Sequence, residues 1–187
     1  MEHIPDRELG VELLNARYDL APFDSGDEEL NDFLKHNALK EQNMRLSKTH
    51  LCFYRDRIAG FITLAADSIK LDKKRDASQI IDGCDYPTYP CILIARLATD
   101  KRLHGRGIGS YLLGLAIGFA LDGPLGCRFL SVDPKEPSTN SDEKPKDFYI
   151  KQGFGRWTEK RRMYLNLEIL DQQLREGDSP DFWSTKD

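Results

Sequence analysis

"ATDKRLHGRGIGSYLLGLAIGFAL", Ala98 to Leu121, runs from a basic stretch through three alternate glycines, Gly105, Gly107 and Gly109, into a long apolar stretch. Ile108, Leu112, Leu115, Ala116 and Phe119 recur at the spacing of one helix face, and "DGPLG" (Asp122 to Gly126) stops the pattern. Upstream, "CILIARLATD" (Cys91 to Asp100) is apolar almost to its end, as in a central strand covered on both faces. Strand, glycine loop and helix in succession gather backbone N–H groups and the positive end of a helix around one point. Such a point suits phosphate oxygens.

The glycine spacing decides which phosphate sites are open to it. A dinucleotide fingerprint, G-x-G-x-x-G, needs its third glycine where "HGRGIGS" has Ser110, and no G-K-[ST] tripeptide of a P-loop follows. The loop also comes after a strand pair and a helix, whereas a dinucleotide fingerprint opens its domain. The competing reading is a glycine-rich helix start whose role is packing alone.

The rest of the chain is an ordinary globular sequence. Its 187 residues, 40% apolar and 31% charged, suit one domain with its own core. A net charge of −4 supplies no general attraction to nucleic acid, although "DKKR" (Asp72 to Arg75) and "EKRR" (Glu159 to Arg162) are short basic runs. Cys52, Cys84, Cys91 and Cys127 form no C-x-x-C pair, which points to buried thiols in a reducing compartment and to no metal site. "MEHIPDRELG" has neither a basic start nor an apolar core, and no stretch nears the roughly 18 apolar residues of a membrane span. The expectation is a cytoplasmic protein with no membrane partner.

Between these signals the elements alternate. Val11 to Leu20 reads as a first strand, and Leu30, Phe33, Leu34 and Ala38 mark one face of a helix. "KTHLCFYRDRIAGFITLAADSIKL" reads as two strands around a tight turn near Arg55 to Arg57. Asp72 to Pro90 reads as a loop, and "CRFLSVD" (Cys127 to Asp133) as a buried strand. A polar loop from Pro134 to Pro145 precedes a short helix, "KDFYIKQGF", that ends at Gly153. A last strand falls within Arg156 to Ile169, and a polar tail, 171–187, carries Phe182 and Trp183.

These residues resemble the GNAT superfamily of acetyl-coenzyme A-dependent N-acetyltransferases. Its pattern is a strand, [Q/R]-x-x-G-x-[G/A], then a helix; Gly107 and Gly109 match, and His104 stands where Gln or Arg is usual. "DFYIKQGF" (Asp147 to Phe154) is similar to the family's "FYxxxGF" segment. "PFDSGDEELNDFLKHNAL" and "ILIARLATDKRLHGRGIG" look like the subgroup that includes toxins of toxin-antitoxin pairs, with Ser25 for the usual Cys and Phe33 for the usual Trp.

The resemblance implies an α/β (α+β) fold, a mixed central sheet of about six or seven strands flanked by helices, in a single domain over 1–187. It implies that amides around Leu97, Ala98 and Thr99 bind the pantetheine arm and thioester oxygen of acetyl-CoA. His104, Gly105, Arg106, Gly107, Ile108, Gly109 and Ser110 would hold its pyrophosphate. Tyr149 takes the position of the general acid that protonates the leaving thiolate; the alternative is an aromatic pair, Phe148 and Tyr149, that only packs. Direct transfer to an amine also needs a neutral nucleophile. Asp24, Asp67 and Asp85 are carboxylates in suitable segments, and nothing in the sequence selects one.

The main reading is an N-acetyltransferase that moves the acetyl group from acetyl-CoA to an amine acceptor of unknown size by direct transfer in a ternary complex. A toxin-type enzyme acetylating aminoacyl-tRNA is the alternative; those toxins are usually basic and this chain is acidic. A non-catalytic coenzyme A sensor is a third. The toxin likeness also implies a homodimer and a ribbon-helix-helix antitoxin partner. Arg96, in the apolar strand, either orients substrate or pairs with an acid.

Overall fold

The computed structural model describes residues 2–72, 76–80, 83, 86–135, 145–155 and 162–176. Lys73 to Arg75, Cys84, Asp85, the centre of the polar loop (136–144), Glu159 to Arg161 and the tail from 177, with Phe182 and Trp183, lie outside the described residues.

Six strands form one sheet in sequence order: β1 (Leu9–Leu13), β2 (Lys48–Tyr54), β3 (Arg57–Ile69), β4 (Tyr89–Thr99), β5 (Phe129–Val132) and β6 (Met163–Asn166). β1 pairs antiparallel with β2 from Leu9 opposite Tyr54 to Leu13 opposite His50. β2 and β3 form the expected hairpin, in which Tyr54 faces Arg57 across Arg55 and Asp56. Both turn residues have positive φ, 49° and 60°, the mirror-image turn that matches strand twist, achieved here without glycine. β5 and β6 are antiparallel, with Phe129 opposite Asn166. β4 and β5 are sheet neighbours joined through helix α3 (Ile108–Asp122), the crossover that parallel neighbours need, and the sheet is therefore mixed.

The helix expected after Gly26 is present but interrupted. The Asp27 carboxylate accepts the N–H groups of Glu29 and Leu30 and starts α1 (Glu28–Asp32). A π-turn over Phe33–Asn37 follows, in which the Ala38 N–H reaches the Phe33 carbonyl, and α2 (Ala38–Asn43) completes the segment. The wider turn rotates the residues after it, and Phe33, Leu34 and Ala38 all end buried.

The chain groups into two compact units, Met1–Ala66 with Ile94–Ala116, and Asp67–Leu93 with Ile117–Asp187. In the first, Leu14, Phe23, Phe33, Leu34, Leu51, Phe61 and Ala98 form the core. Phe61 meets Phe23 edge-on at 5.6 Å and stacks on Phe33 at 6.3 Å. In the second, the Phe129 ring takes Tyr89 and Tyr164 edge-on at 6.0 and 5.2 Å. The buried Tyr164 hydroxyl donates to Asp76 at 3.0 Å, and the Cys91 thiol to the Ser131 hydroxyl oxygen at 3.0 Å.

The last strand, β6, falls within the expected span Arg156 to Ile169, and the helix after it, α5 (Leu167–Glu176), takes in the first residues of the polar tail. The Asn166 side-chain oxygen accepts the N–H groups of Glu168 and Ile169 and so caps a helix that buries Leu167 and Leu170. No helix among the described residues is long and apolar enough to cross a membrane.

Candidate active site

The glycine loop takes the form its sequence implies. Gly105 and Gly107 have φ of +71° and +88°, while Arg106 between them has no positive φ. Alternation of sign turns successive peptide N–H groups toward one side, the arrangement that makes an anion-binding hollow. The Tyr111 N–H donates to the Gly107 carbonyl at 3.0 Å, so α3 begins at the loop. The His104 imidazole turns back to the Thr99 carbonyl at 3.1 Å. The side chain that departs from the family pattern thus ties the strand end to the loop. Ala98 is buried in the core, and Leu97, Thr99, Gly109 and Ser110 are half-buried.

Two aspartates fix the entry to the loop. Asp100 is buried, its N–H donates to the Ala59 carbonyl at 2.8 Å, and its carboxylate accepts the N–H and guanidinium of Arg102. Asp24 accepts the N–H of Gly26 and the Asn31 amide, both at 2.9 Å, and pairs with the Lys101 ammonium at 2.6 Å. The Lys101 hydrogen bond, then those from Gly26 and Asn31, holds the Asp24 carboxyl far below its ordinary range. A carboxylate so engaged is a poor base.

Asp67 is engaged as well. Arg162 pairs with it through one nitrogen and with Asp133 through two others, at 2.9 and 2.7 Å. Of the three carboxylates suggested as bases, two carry structural pairs, and Asp85 lies outside the described residues. Arg96 stacks its guanidinium 5.0 Å from the centre of the Phe33 ring and donates to the Ala95 carbonyl at 2.7 Å.

Leu97 to Ser110 all fall in the first unit; Tyr149 belongs to the second and sits in α4 (Pro145–Lys151). The end of that helix explains the "GF" of its motif. Gly153, at φ +82°, sends its N–H to the Ile150 carbonyl, and Phe154 sends its own to the Tyr149 carbonyl, at 3.1 and 3.0 Å. This is a Schellman closure, which favours glycine at the left-handed position and an apolar contact beyond it. That contact is the Phe154 ring, 5.4 Å from Tyr149, with Phe148 at 5.1 Å on the same ring. Tyr149 is buried, and burial pushes its phenol well above the ordinary value. It is therefore protonated at any working pH, as a proton donor must be.

One contact had no sequence signal. Glu2 to Ile4 reach the glycine loop: the Ile4 N–H donates to the Arg106 carbonyl at 3.1 Å, and Arg106 Nε donates to the Glu2 carbonyl at 3.1 Å. The His3 ring lies against Gly107, where a Cβ would overlap it.

With this geometry established, the acetyltransferase (GNAT) family model matches residues 11–154. The chain belongs to the GNAT acetyltransferase family. It is 35% identical over 100 residues to a tRNA-acetylating toxin of Mycobacterium tuberculosis (strain ATCC 25618 / H37Rv), a match that covers 54% of this GNAT chain and 58% of the toxin. The match thus spans less than two thirds of that relative's length. A tyrosine-to-phenylalanine mutant of KacT superposes with TM-score 0.73 at 24% identity, covering 88% of this chain and 98% of that one. AtaT complexed with acetyl-methionyl-tRNAfMet superposes with TM-score 0.72 at 23% identity, covering 89% and 99%. These likenesses establish the mixed-sheet GNAT fold that the motifs implied.

Proposed function

We propose that this GNAT protein transfers the acetyl group of acetyl-CoA to the α-amino group of an aminoacyl-tRNA. The observation that carries the donor half is the loop from His104 to Ser110, with its two left-handed glycines at the head of α3. Backbone N–H groups there take the coenzyme pyrophosphate, and the amides of Leu97 to Thr99 take the pantetheine arm and the thioester oxygen. Charge developing on that oxygen is stabilised by donors already in place. Tyr149 gives its proton to the leaving thiolate as the amine nitrogen bonds to the acetyl carbon.

The acceptor half rests on the relative named for acetylating tRNA, and AtaT has been solved with an acetylated aminoacyl-tRNA. These favour aminoacyl-tRNA over a small-molecule or protein acceptor. An α-amine needs no dedicated base, because its pKa near 8 leaves a useful neutral fraction, and this agrees with Asp24 and Asp67 being held in ion pairs. An antitoxin partner belongs to the same reading, as AtaT has been solved bound to the C-terminus of its antitoxin AtaR.

The test is thiol release from acetyl-CoA with aminoacyl-tRNA, deacylated tRNA, polyamines, free amino acids and peptides as acceptors. Turnover with aminoacyl-tRNA alone is expected. Turnover confined to polyamines or peptides overturns the acceptor, and firm coenzyme A binding without any turnover overturns the enzyme.

A further inference from the structure

We propose that the segment Glu2 to Ile4 is a strap that positions the coenzyme-binding loop, with His3 and Ile4 as positioning residues for acetyl-CoA. This deepens the proposed function and rests on its donor half.

The strap is anchored at both ends of a short reciprocal pair. Ile4 is 1% exposed, so its side chain is part of the packed interior, and its N–H holds the Arg106 carbonyl. Arg106 returns a bond from Nε to the Glu2 carbonyl, and its guanidinium lies 5.6 Å over the Tyr54 ring. Between these anchors the His3 ring rests on Gly107.

The consequence follows from peptide planarity. In a trans peptide the C=O and the next N–H point in opposite directions, and no peptide here is cis. Ile4 holds the Arg106 carbonyl, so the Gly107 N–H is turned away from the strap. Tyr111 holds the Gly107 carbonyl, so the Ile108 N–H is turned out of the helix end. Two successive donors of the phosphate hollow are thus fixed by their carbonyl partners, one supplied by α3 and the other by the strap. Contact with His3 and a φ of +88° together leave only glycine at position 107.

A preorganised donor pair lowers the cost of binding without touching the chemical step. His3→Ala, which removes the packing on Gly107, and replacement of Glu2 to Ile4 by Gly-Ser-Gly, which keeps the backbone bonds but loses the buried Ile4 anchor, are therefore expected to raise KM for acetyl-CoA and Kd for coenzyme A by about fivefold, the cost of re-ordering a loosened loop, with kcat and the acceptor KM unchanged. Kd is read by titration calorimetry on the full chain, and Tm is read alongside. His3 is exposed, so His3→Ala carries the test even where loss of Ile4 unfolds the protein. A second measurement tests the contact directly: Gly107→Ala loses coenzyme A binding, and adding His3→Gly recovers part of it. Unaltered Kd and KM in the variants overturn the strap, as does a strictly additive His3–Gly107 pair or a fall in kcat with KM unchanged. Unaltered protein that binds no coenzyme A overturns the donor reading, and the strap's role with it.

Discussion

Asp100 holds Arg102 through three of its nitrogens: the backbone N–H at 3.0 Å, Nε at 2.8 Å and Nη2 at 2.6 Å. The carboxylate is almost wholly buried while the guanidinium remains half exposed. This clamp closes the turn Lys101–Leu103 that carries the chain from β4 into the glycine loop.

Burial acts to raise the Asp100 carboxyl, but the Arg102 hydrogen bonds and charge outweigh it and the group ends below its ordinary value. A depressed folded-state value contributes stability that is complete above the unfolded value of about 3.9 and is lost as pH falls through the folded one. Asp100→Asn is expected to cost about 1–2 kcal/mol at pH 7, discounted for the exposed partner. Urea unfolding at pH 7 and pH 3 checks both points: the gap between wild type and variant narrows in acid, and a gap that widens contradicts the clamp.

Gly60 lies beneath the start of α3. A Cβ there would stand 2.8 Å from the Ala98 carbonyl oxygen and 3.1 Å from both Ile108 and Leu112. Backbone cannot yield as a flexible side chain does, so Gly60→Ala is expected to cost about 2 kcal/mol, or about 4–8 °C in Tm for a chain of this size. Calorimetry with and without coenzyme A reads it, and a Tm equal to wild type contradicts the packing.

Tyr149→Phe removes the proposed acid and keeps the ring against Phe148 and Phe154. A fall in kcat on the order of 10²-fold is expected, with coenzyme A affinity preserved. Because burial raises the phenol, the wild-type rate should show no alkaline loss attributable to Tyr149 at ordinary assay pH. Undiminished turnover by the variant removes the role.

Arg162 bridges Asp67 and Asp133, and its own pKa is raised first by the Asp133 hydrogen bonds. Asp67→Asn should therefore lower stability by up to about 1 kcal/mol and leave kcat within about threefold. A loss of kcat beyond about tenfold would instead make Asp67 the base.

Burial pushes the Cys52 and Cys91 thiols up to about 12. Thiolate is the reactive form, so alkylation at pH 8, mapped by peptide, should spare both until the protein is unfolded.

The sequence by itself determined what local chemistry encodes. The glycines at 105 and 107 stand where φ is positive, Gly153 closes α4 as its motif requires, and the apolar runs of β4 and β5 became sheet neighbours. Each signal lies within a few residues of the structure it specifies. Where local signals are ambiguous the sequence stops short: "NLEI" suits strand or helix until Asn166 caps α5 and Leu170 finds a buried place.

Tertiary structure alone decided the rest. Asp24 meets Lys101, Arg162 meets Asp67, and Arg106 meets Glu2 across 104 residues of chain. No period or motif links such partners, because the cost of closing a loop grows only slowly with its length and many distant pairings are open to one sequence. Packing selects among them. That selection ties Asp24 and Asp67 into ion pairs and sets Glu2 to Ile4 against the glycine loop.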